Sequence, residues 1–384
     1  MSTLDSSALK VSALCFSGGL ATGIIMSKLA NKLKNSDFYE KNPPEKWVKV
    51  GTISDLVIYP VKSLPGITVT QAVTTILGLQ DAANPYLRDR SFVITNANGG
   101  FQTQRVIPSM ALIHPTVIED VLHLKFVGED GDDDISVKFP KDVQYNKKLI
   151  RQVFQKIKFP IWTDKVYALD CGDQISDWLS KVTGVEGLRL FYHDSENSQR
   201  KVNLGQKAFP MFAPRDTGIF QDETSYMMMT EESLTELNSK MTRQFPMKSF
   251  RPCITITGTP EPWAEDAWTF VRIGNDVEKS PIFKTSQPCL RHVVYSFYEL
   301  IIRIWYSLLC NNCRCKMTTI DPDTGTIIED GEPIKTLTSL KRPVWNPTVT
   351  KIVKNAAVMG IHFGIFKNEN SIIQVGDPIY AALV

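Results

Sequence analysis

The sequence predicts an α+β, β-rich protein with a few helices, and three observations carry that prediction. From Val48 onward the chain breaks into short runs of β-branched and aromatic residues separated by turn residues. Only two stretches show clear helical spacing. The chain has 384 residues, 43% of them hydrophobic and 22% charged, which suits a globular protein with a substantial core and makes two domains the expectation.

The elements follow in order. Val11 to Ser27 carries no charge and lies between Lys10 and the trio Lys28, Lys32 and Lys34. That run sits at the lower length limit for a bilayer helix, and the lysines behind it orient the following body toward the cytosol. Residues 1–34 are therefore expected to be an N-terminal membrane anchor, and the polar, Pro-Pro-containing stretch 35–47 a linker. Asp5 and the lack of Arg before Arg88 argue against a matrix presequence.

Leu56 to Tyr59 ahead of Pro60, the alternating Ile67 to Ile76, Ser91 to Asn96 and Leu122 to Val127 read as strands of a small β-barrel or sandwich. The acidic run from Glu129 to Asp134 reads as a loop. Asp173 is expected to cap a helix whose inward face is Ile175, Trp178, Leu179 and Val182 and which Gly184 ends. A second helix is expected from Thr230, with Glu231 and Glu232 at its positive end and Leu234, Leu237 and Met241 inward. Ile254 to Gly258 and Ile372 to Tyr380 read as further strands.

Composition excludes several classes. A net charge of +2 offers no bulk nucleic-acid surface. Neither G-x-x-x-x-G-K-[ST] nor G-x-G-x-x-G occurs, so nucleotide-triphosphate and dinucleotide folds have no support. Seven unevenly placed cysteines argue for a reducing compartment instead of a disulfide scaffold.

Two constellations carry chemistry. Lys62, Ser63, Arg90 and Arg251 follow strand-like runs; singly each is an ordinary surface residue, but together they offer three cations and a hydroxyl suited to a phosphate. Cys289, Cys310, Cys313 and Cys315 cluster beside the turn Asp321-Pro322-Asp323-Thr324-Gly325. That cluster has three readings: an unconventional zinc or iron–sulfur site, a single metal-ligating thiolate at Cys315, or small buried hydrophobes. The five histidines are scattered and form no ligand pair.

The strings IYPVKS (58–63), LRDR (87–90), FQTQR (101–105), DCGD (170–173), FRP (250–252), RCKMTTIDPDTG (314–325) and VGDPIY (375–380) resemble those of MOSC-domain proteins. In order and spacing they are most similar to the mitochondrial amidoxime-reducing component, over roughly Val48 to Tyr380. The resemblance implies an N-terminal MOSC β-barrel-like domain over 48–165 and a MOSC β-barrel domain over 166–384. It implies a molybdenum–molybdopterin cofactor, with Cys315 as metal ligand and Cys313 and Arg314 beside it. Lys62, Ser63, Arg90, Thr224, Arg251 and Cys253 fall at cofactor-contact positions, and Asp222 at the acidic residue near the metal, expected with Cys315 to be catalytic and to relay a proton to the leaving oxygen.

The activity so implied is reduction of N-hydroxylated compounds such as amidoximes, hydroxylamines and N-hydroxyguanidines, with nitrite a further substrate. Electrons would come from cytochrome b5 and NADH-cytochrome b5 reductase, at the outer mitochondrial membrane with the body facing the cytosol. No nucleic-acid partner is expected.

The chain departs from the family's pattern in three places. Cys253 replaces the Asn that follows Phe-Arg-Pro, and a thiol lacks the amide's donor–acceptor pair. An aromatic contact near the C-terminus falls on His362. Residues 292–314 form an apolar insert whose deletion would restore P-C-L-R-C-K-M-T-T. The insert and Cys253 favour an alternative, a cofactor-binding or carrier protein without turnover. A zinc-stabilised interaction module is a third reading.

Overall fold

Along the first strand, Val50, Ile53, Leu56 and Ile58 are buried while Thr52, Ser54, Asp55 and Val57 are partly exposed, an in-and-out pattern interrupted by register shifts at Lys49/Gly51 and Ile53/Asp55 that suits a half-buried strand. The computed structural model describes residues 45–128, 131–139, 156–161, 164–193, 214–292, 316–342 and 357–383. The expected anchor, most of the expected linker, Cys310, Cys313, Arg314, Cys315 and the insert beyond His292 lie outside the described residues.

The strands of the first half are β1 (Val48–Ile58), β2 (Ile67–Val69), β3 (Gln71–Thr75), β4 (Gly78–Asp81) and β5 (Phe92–Thr95). They are followed by β6 (Ile113–Ile118), β7 (Val121–Gly128), β8 (Gly131–Lys138), β9 (Lys156–Ile161), β10 (Asp164–Asp170) and, after helix α1 (Asp173–Thr183), β11 (Arg189–His193). The second half holds β12 (Tyr226–Thr230), α2 (Glu231–Ser239), β13 (Ile254–Thr257), β14 (Trp268–Ile273) and β15 (Ile282–His292). It closes with α3 (Ile334–Leu340), β16 (Ala357–Lys367), β17 (Ile372–Gln374) and β18 (Pro378–Leu383).

The main sheet runs β13-β12-β16-β15-β14-β18-β1-β2, and a further pairing of β13 with β1 closes seven of these strands into a barrel. Closure removes the open edges that would otherwise invite another chain to pair. The interior is filled from all round the ring by Leu56, Tyr226, Ile254, Trp268, Phe283 and Phe363. The β-rich barrel expectation is therefore met.

Two smaller sheets, β5-β11-β10-β9 and β6-β7-β8, lean on α1. The predicted face of α1 is the buried one: Ile175, Trp178 and Leu179 pack with Phe92, Leu122 and Leu190, and Val182 adds at the margin. Gly184 ends the helix in the left-handed conformation that glycine tolerates, its N–H bonded to Ser180 O.

Two details of the sequence reading are corrected. Asp173 is the first helical residue, not the cap; Gly172 caps with no side-chain bond, and the Asp173 carboxylate instead accepts from Arg189 at 3.0 Å. Asp132 to Asp134, expected in a loop, lie in β8 opposite β7. Cross-strand Lys125 pairs with Asp132, while Lys181 and the Trp178 indole reach Asp133, so the acidic edge strand has cationic and N–H partners.

Helix α2 begins as expected, with Thr230 accepting from Ser233 N. Leu237 is fully buried, and Leu234 and Met241 pack beside it. Among the described residues no helix is long and apolar enough to cross a membrane.

Candidate functional site at the barrel mouth

Because β1 runs antiparallel to β13, and β13 parallel to β12, one end of the barrel collects the segment after β1 and the turns before β12 and β13. Hydrogen bonds lock these pieces together. Tyr59 N donates to Asp89 Oδ1 at 2.9 Å, and the Tyr59 hydroxyl donates to Pro252 O at 3.1 Å. Arg90 N donates to Tyr59 O, and Lys62 N donates to Phe92 O. The amide of Gln221 donates to Asp89 Oδ2 at 3.1 Å and to Leu77 O at 2.9 Å.

Three of the expected site residues have left-handed backbone: Ser63 at φ 67°, Arg90 at φ 47° and Arg251 at φ 61°. Non-glycine residues hold that conformation only when their surroundings over-determine it, and such strain concentrates at functional sites.

Charge is concentrated here too. The guanidinium of Arg90 lies 4.5 Å from the centroid of the Tyr59 ring, and that of Arg251 lies 4.3 Å from it. Asp89, 1% exposed, receives Arg90 Nη1 on both oxygens at 2.8 and 2.6 Å. The Arg90 guanidinium loses to burial but gains more from Asp89, and stays firmly charged. Among the described residues Arg251 makes no ion pair, and the only carboxylates that favour its cation are the more distant Asp89 and Asp222. Burial, with repulsion from Arg90, holds its guanidinium down to about 10, and its Nη2 is buried without a hydrogen-bond partner. Burial pushes the Tyr59 phenol up to about 12, so it remains a neutral donor. The result is a cationic cradle with one donor unspent.

Lys62 is buried, donates to Phe220 O at 2.8 Å, and forms an ion pair with the half-exposed Asp222. Its ammonium also sits 5.2 Å from the Phe101 ring centroid. Thr224 Oγ1 donates to Tyr226 O at 2.7 Å and lies 3.0 Å from His362 Nδ1. Cys253 is turned into the barrel core: its Sγ accepts from Met227 N at 3.2 Å and donates to Met227 O at 3.3 Å. Burial pushes that thiol up to about 12.

The fold thus brings Lys62, Ser63, Arg90, Asp222, Thr224, Arg251 and Cys253 to one end of the barrel, while Cys313, Arg314 and Cys315 lie outside the described residues. Among the described residues no group of three or more His, Cys, Asp and Glu could hold a metal. The string DCGD serves a structural corner instead: Asp170 accepts from Gly172 N and pairs with Arg189 across from β10 to β11. Three members of the site were not expected from sequence: Tyr59, Asp89 and Gln221. Asp89 carried a usable signal, a carboxylate between two arginines in LRDR, whereas nothing local marks Tyr59 or Gln221.

Comparison with known families agrees with this architecture. The MOSC N-terminal beta barrel domain matches residues 50–186, and the MOSC domain matches residues 215–294. The chain is 30% identical over 332 residues to mitochondrial amidoxime reducing component 2 of Bos taurus, covering 86% of this chain and 83% of that protein. It is 30% identical over 337 residues to mitochondrial amidoxime-reducing component 1 of Mus musculus, covering 86% and 82%. The corresponding component 1 of Homo sapiens is 28% identical over 337 residues, covering 86% and 83%. With both domains matched in order and the similarity running through the strands that build the barrel mouth, the chain belongs to the MOSC-domain family of mitochondrial amidoxime-reducing components.

Proposed function

We propose that this protein is a molybdenum-cofactor-dependent reductase of N-hydroxylated compounds, fed with electrons by cytochrome b5 and its NADH-dependent reductase. The observation that carries the reading is the cradle of Lys62, Ser63, Arg90 and Arg251, in which a buried Arg251 Nη2 has no partner. A phosphate-bearing pterin fits that donor set: two guanidiniums, an ammonium and a hydroxyl on over-determined backbone. Lys62, Ser63, Arg90 and Arg251 would hold the pterin and its phosphate, Thr224 would line it, and Cys315, with Cys313 and Arg314 beside it, would ligate the metal. When bound, the molybdenum would supply the two-electron chemistry that converts an N–OH group to N–H and water.

The chain's own residues would do the rest. Asp89 keeps Arg90 and Tyr59 in place, and Tyr59 spreads its ring beneath both guanidiniums. Asp222, paired with Lys62, would stand beside the metal and relay a proton to the leaving oxygen. Its partial exposure leaves it open to solvent. We further propose the division into an N-terminal β-barrel-like domain over 48–165 and a MOSC domain over 166–384. An anchor in residues 1–34 would tether the body at the outer mitochondrial membrane, facing the cytosol.

One observation favours a second reading, a cofactor carrier without turnover. The Cys253 thiol spends its hydrogen bonds on Met227 and offers the cofactor nothing in place of an amide. Elemental analysis of the purified full chain beside Cys315→Ala and Arg251→Ala tests the site. Equimolar molybdenum in the parent and its loss in both variants is expected; zinc in its place would overturn the reading. Benzamidoxime reduction with the cytochrome b5 pair then separates reductase from carrier.

A further inference from the structure

The outer wall of the barrel carries a buried arginine that the cradle at the mouth does not use. Val271 and Ile273 of β14 belong to the barrel core, so the alternation of the strand turns Arg272 outward. Arg272 is nevertheless only 4% exposed, and its Nε and Nη1 are buried without a hydrogen-bond partner. Its guanidinium carbon lies 4.4 Å from the centroid of the Tyr380 ring and 5.3 Å from that of Trp47. We propose that Arg272, with Trp47, Tyr380 and Lys49 around it, forms a phosphate-binding site on the barrel wall.

A guanidinium is planar, and its N–H bonds lie in that plane. Rings stacked on it cover its faces and leave the donors at its edge to find acceptors elsewhere. Buried N–H groups are nearly always satisfied, so two orphans on one cation point to an acceptor that the chain itself does not supply. The nearby carboxylate is already taken. Asp276 Oδ1 accepts from Glu278 N at 2.9 Å and from Lys279 N at 3.1 Å. Those backbone bonds are the main reason that the Asp276 carboxyl is held below its usual range, and the charge of Arg272 adds a smaller, more distant pull.

Register adds a second cation. Tyr380 of β18 is paired with Arg272 on one side and with Lys49 of β1 on the other, so the three side chains share one outward rung. Lys49 is exposed. Neighbouring strands lie about 4.8 Å apart, which sets the two cations roughly 10 Å apart across the tyrosine. The Tyr380 hydroxyl donates to Asn275 Oδ1 at 2.7 Å, which holds the ring beside the guanidinium. A flat, forked donor with a second positive charge one rung away suits a phosphate group, on a free anion or on a lipid headgroup, better than a single carboxylate. Trp47 stands one residue before β1, so a ligand here would also fasten the point at which the chain enters the barrel.

The test is 19F NMR of the full chain labelled with 5-fluorotryptophan, with Trp47→Phe assigning the Trp47 signal. Sodium phosphate, added at constant ionic strength, should shift that signal saturably, and sodium acetate should not. Arg272→Gln is expected to weaken phosphate binding roughly tenfold or more. Should Arg272→Gln lose its cooperative unfolding transition, Lys49→Glu, at an exposed position, decides instead, with binding expected to weaken severalfold. No saturable shift in the parent, an equal shift with acetate, or unchanged binding in the deciding variant overturns the proposal. Adding phosphatidylcholine nanodiscs with and without phosphatidic acid separates the two sources of phosphate. A Trp47 signal already at its bound position with phosphatidic acid alone assigns the site to a headgroup. One that moves only when inorganic phosphate is added assigns it to a soluble phosphate, and either result supports a phosphate site on the wall.

Discussion

Asp89 is the residue on which the cationic mouth depends. Its two oxygens receive Tyr59 N, both contacts from Arg90 and the Gln221 amide, all away from water. Removing one partner of a buried ion pair leaves the other charge uncompensated, at a cost of about 3–5 kcal/mol. Asp89→Ala is expected to lose that much in urea unfolding, far more than Lys181→Ala, whose partner pair lies at the surface. Cys253 gives a second prediction. At 1% exposure and with its thiol pushed up to about 12, only about one molecule in 10⁴ carries the thiolate at pH 8. Iodoacetamide should leave Cys253 unmodified in the folded chain and label it after denaturation, as read by peptide mass spectrometry; rapid native labelling would show that the thiol faces the mouth. Much of this residue-scale picture was legible, because Lys62, Arg90 and Arg251 sit in short strings whose charge stands out from apolar runs. The bond between Cys253 and Met227 was not, since it depends on two strands pairing in a given register.

At the scale of elements, the start of α2 is tied to the chain beside β14 and β16 by a buried acid pair. Glu265 accepts from the hydroxyls of Thr230 and Ser233, and Asp266 pairs with Arg342, which also donates to Val358 O and stacks 3.6 Å from the Trp263 ring centroid. Burial pushes the Asp266 carboxyl up to about 7, against the pull of Arg342 and with the repulsion of Glu265, which burial raises too. In the unfolded chain the same carboxyl ionises near 3.8, so between these values the folded state holds more protons. The stability this group contributes is therefore complete below the lower value and is lost as pH rises through the higher one. Asp266→Asn cannot titrate, so its stability relative to the parent should improve steadily from pH 4 to 7 and then level off. Urea midpoints at pH 5, 6, 7 and 8 measure this; a gap that moved the other way would sink the assignment. Helix α2 itself was readable from Thr230, the paired glutamates and the Leu234 to Met241 spacing. The misassigned cap at Asp173 shows the limit: Asp, Gly and helix pattern are visible locally, but the Arg189 that claims the carboxylate comes from the next strand.

The barrel is held closed by a strand far in sequence from the two strands it joins. β1 lies between β18 and β13, pairing Thr52 with both Pro378 and Thr257, so the barrel of the second half is completed by the first strand of the first. β1 pairs locally with β2, but the two neighbours that close the ring, β13 and β18, come from the second half of the chain, and no local pattern encodes such a pairing. The same dependence builds the site, since Tyr59, Lys62 and Ser63 reach the mouth only because β1 occupies that gap. A chain beginning at residue 166 would keep β12 to β18 yet expose unpaired edges on β13 and β18, flanking an apolar interior. Such a fragment is expected to aggregate on expression, whereas a full chain cut only in the linker before Val48 should stay soluble and keep its unfolding transition. Supplying residues 45–193 in trans, described strands included, should recover soluble protein by filling the gap between β18 and β13. Size-exclusion chromatography of the three preparations reads this directly. A fragment from residue 166 that ran as a monomer with a cooperative unfolding transition would mean that the ring can close without β1, and that the strand delivers the mouth residues without being needed for the fold.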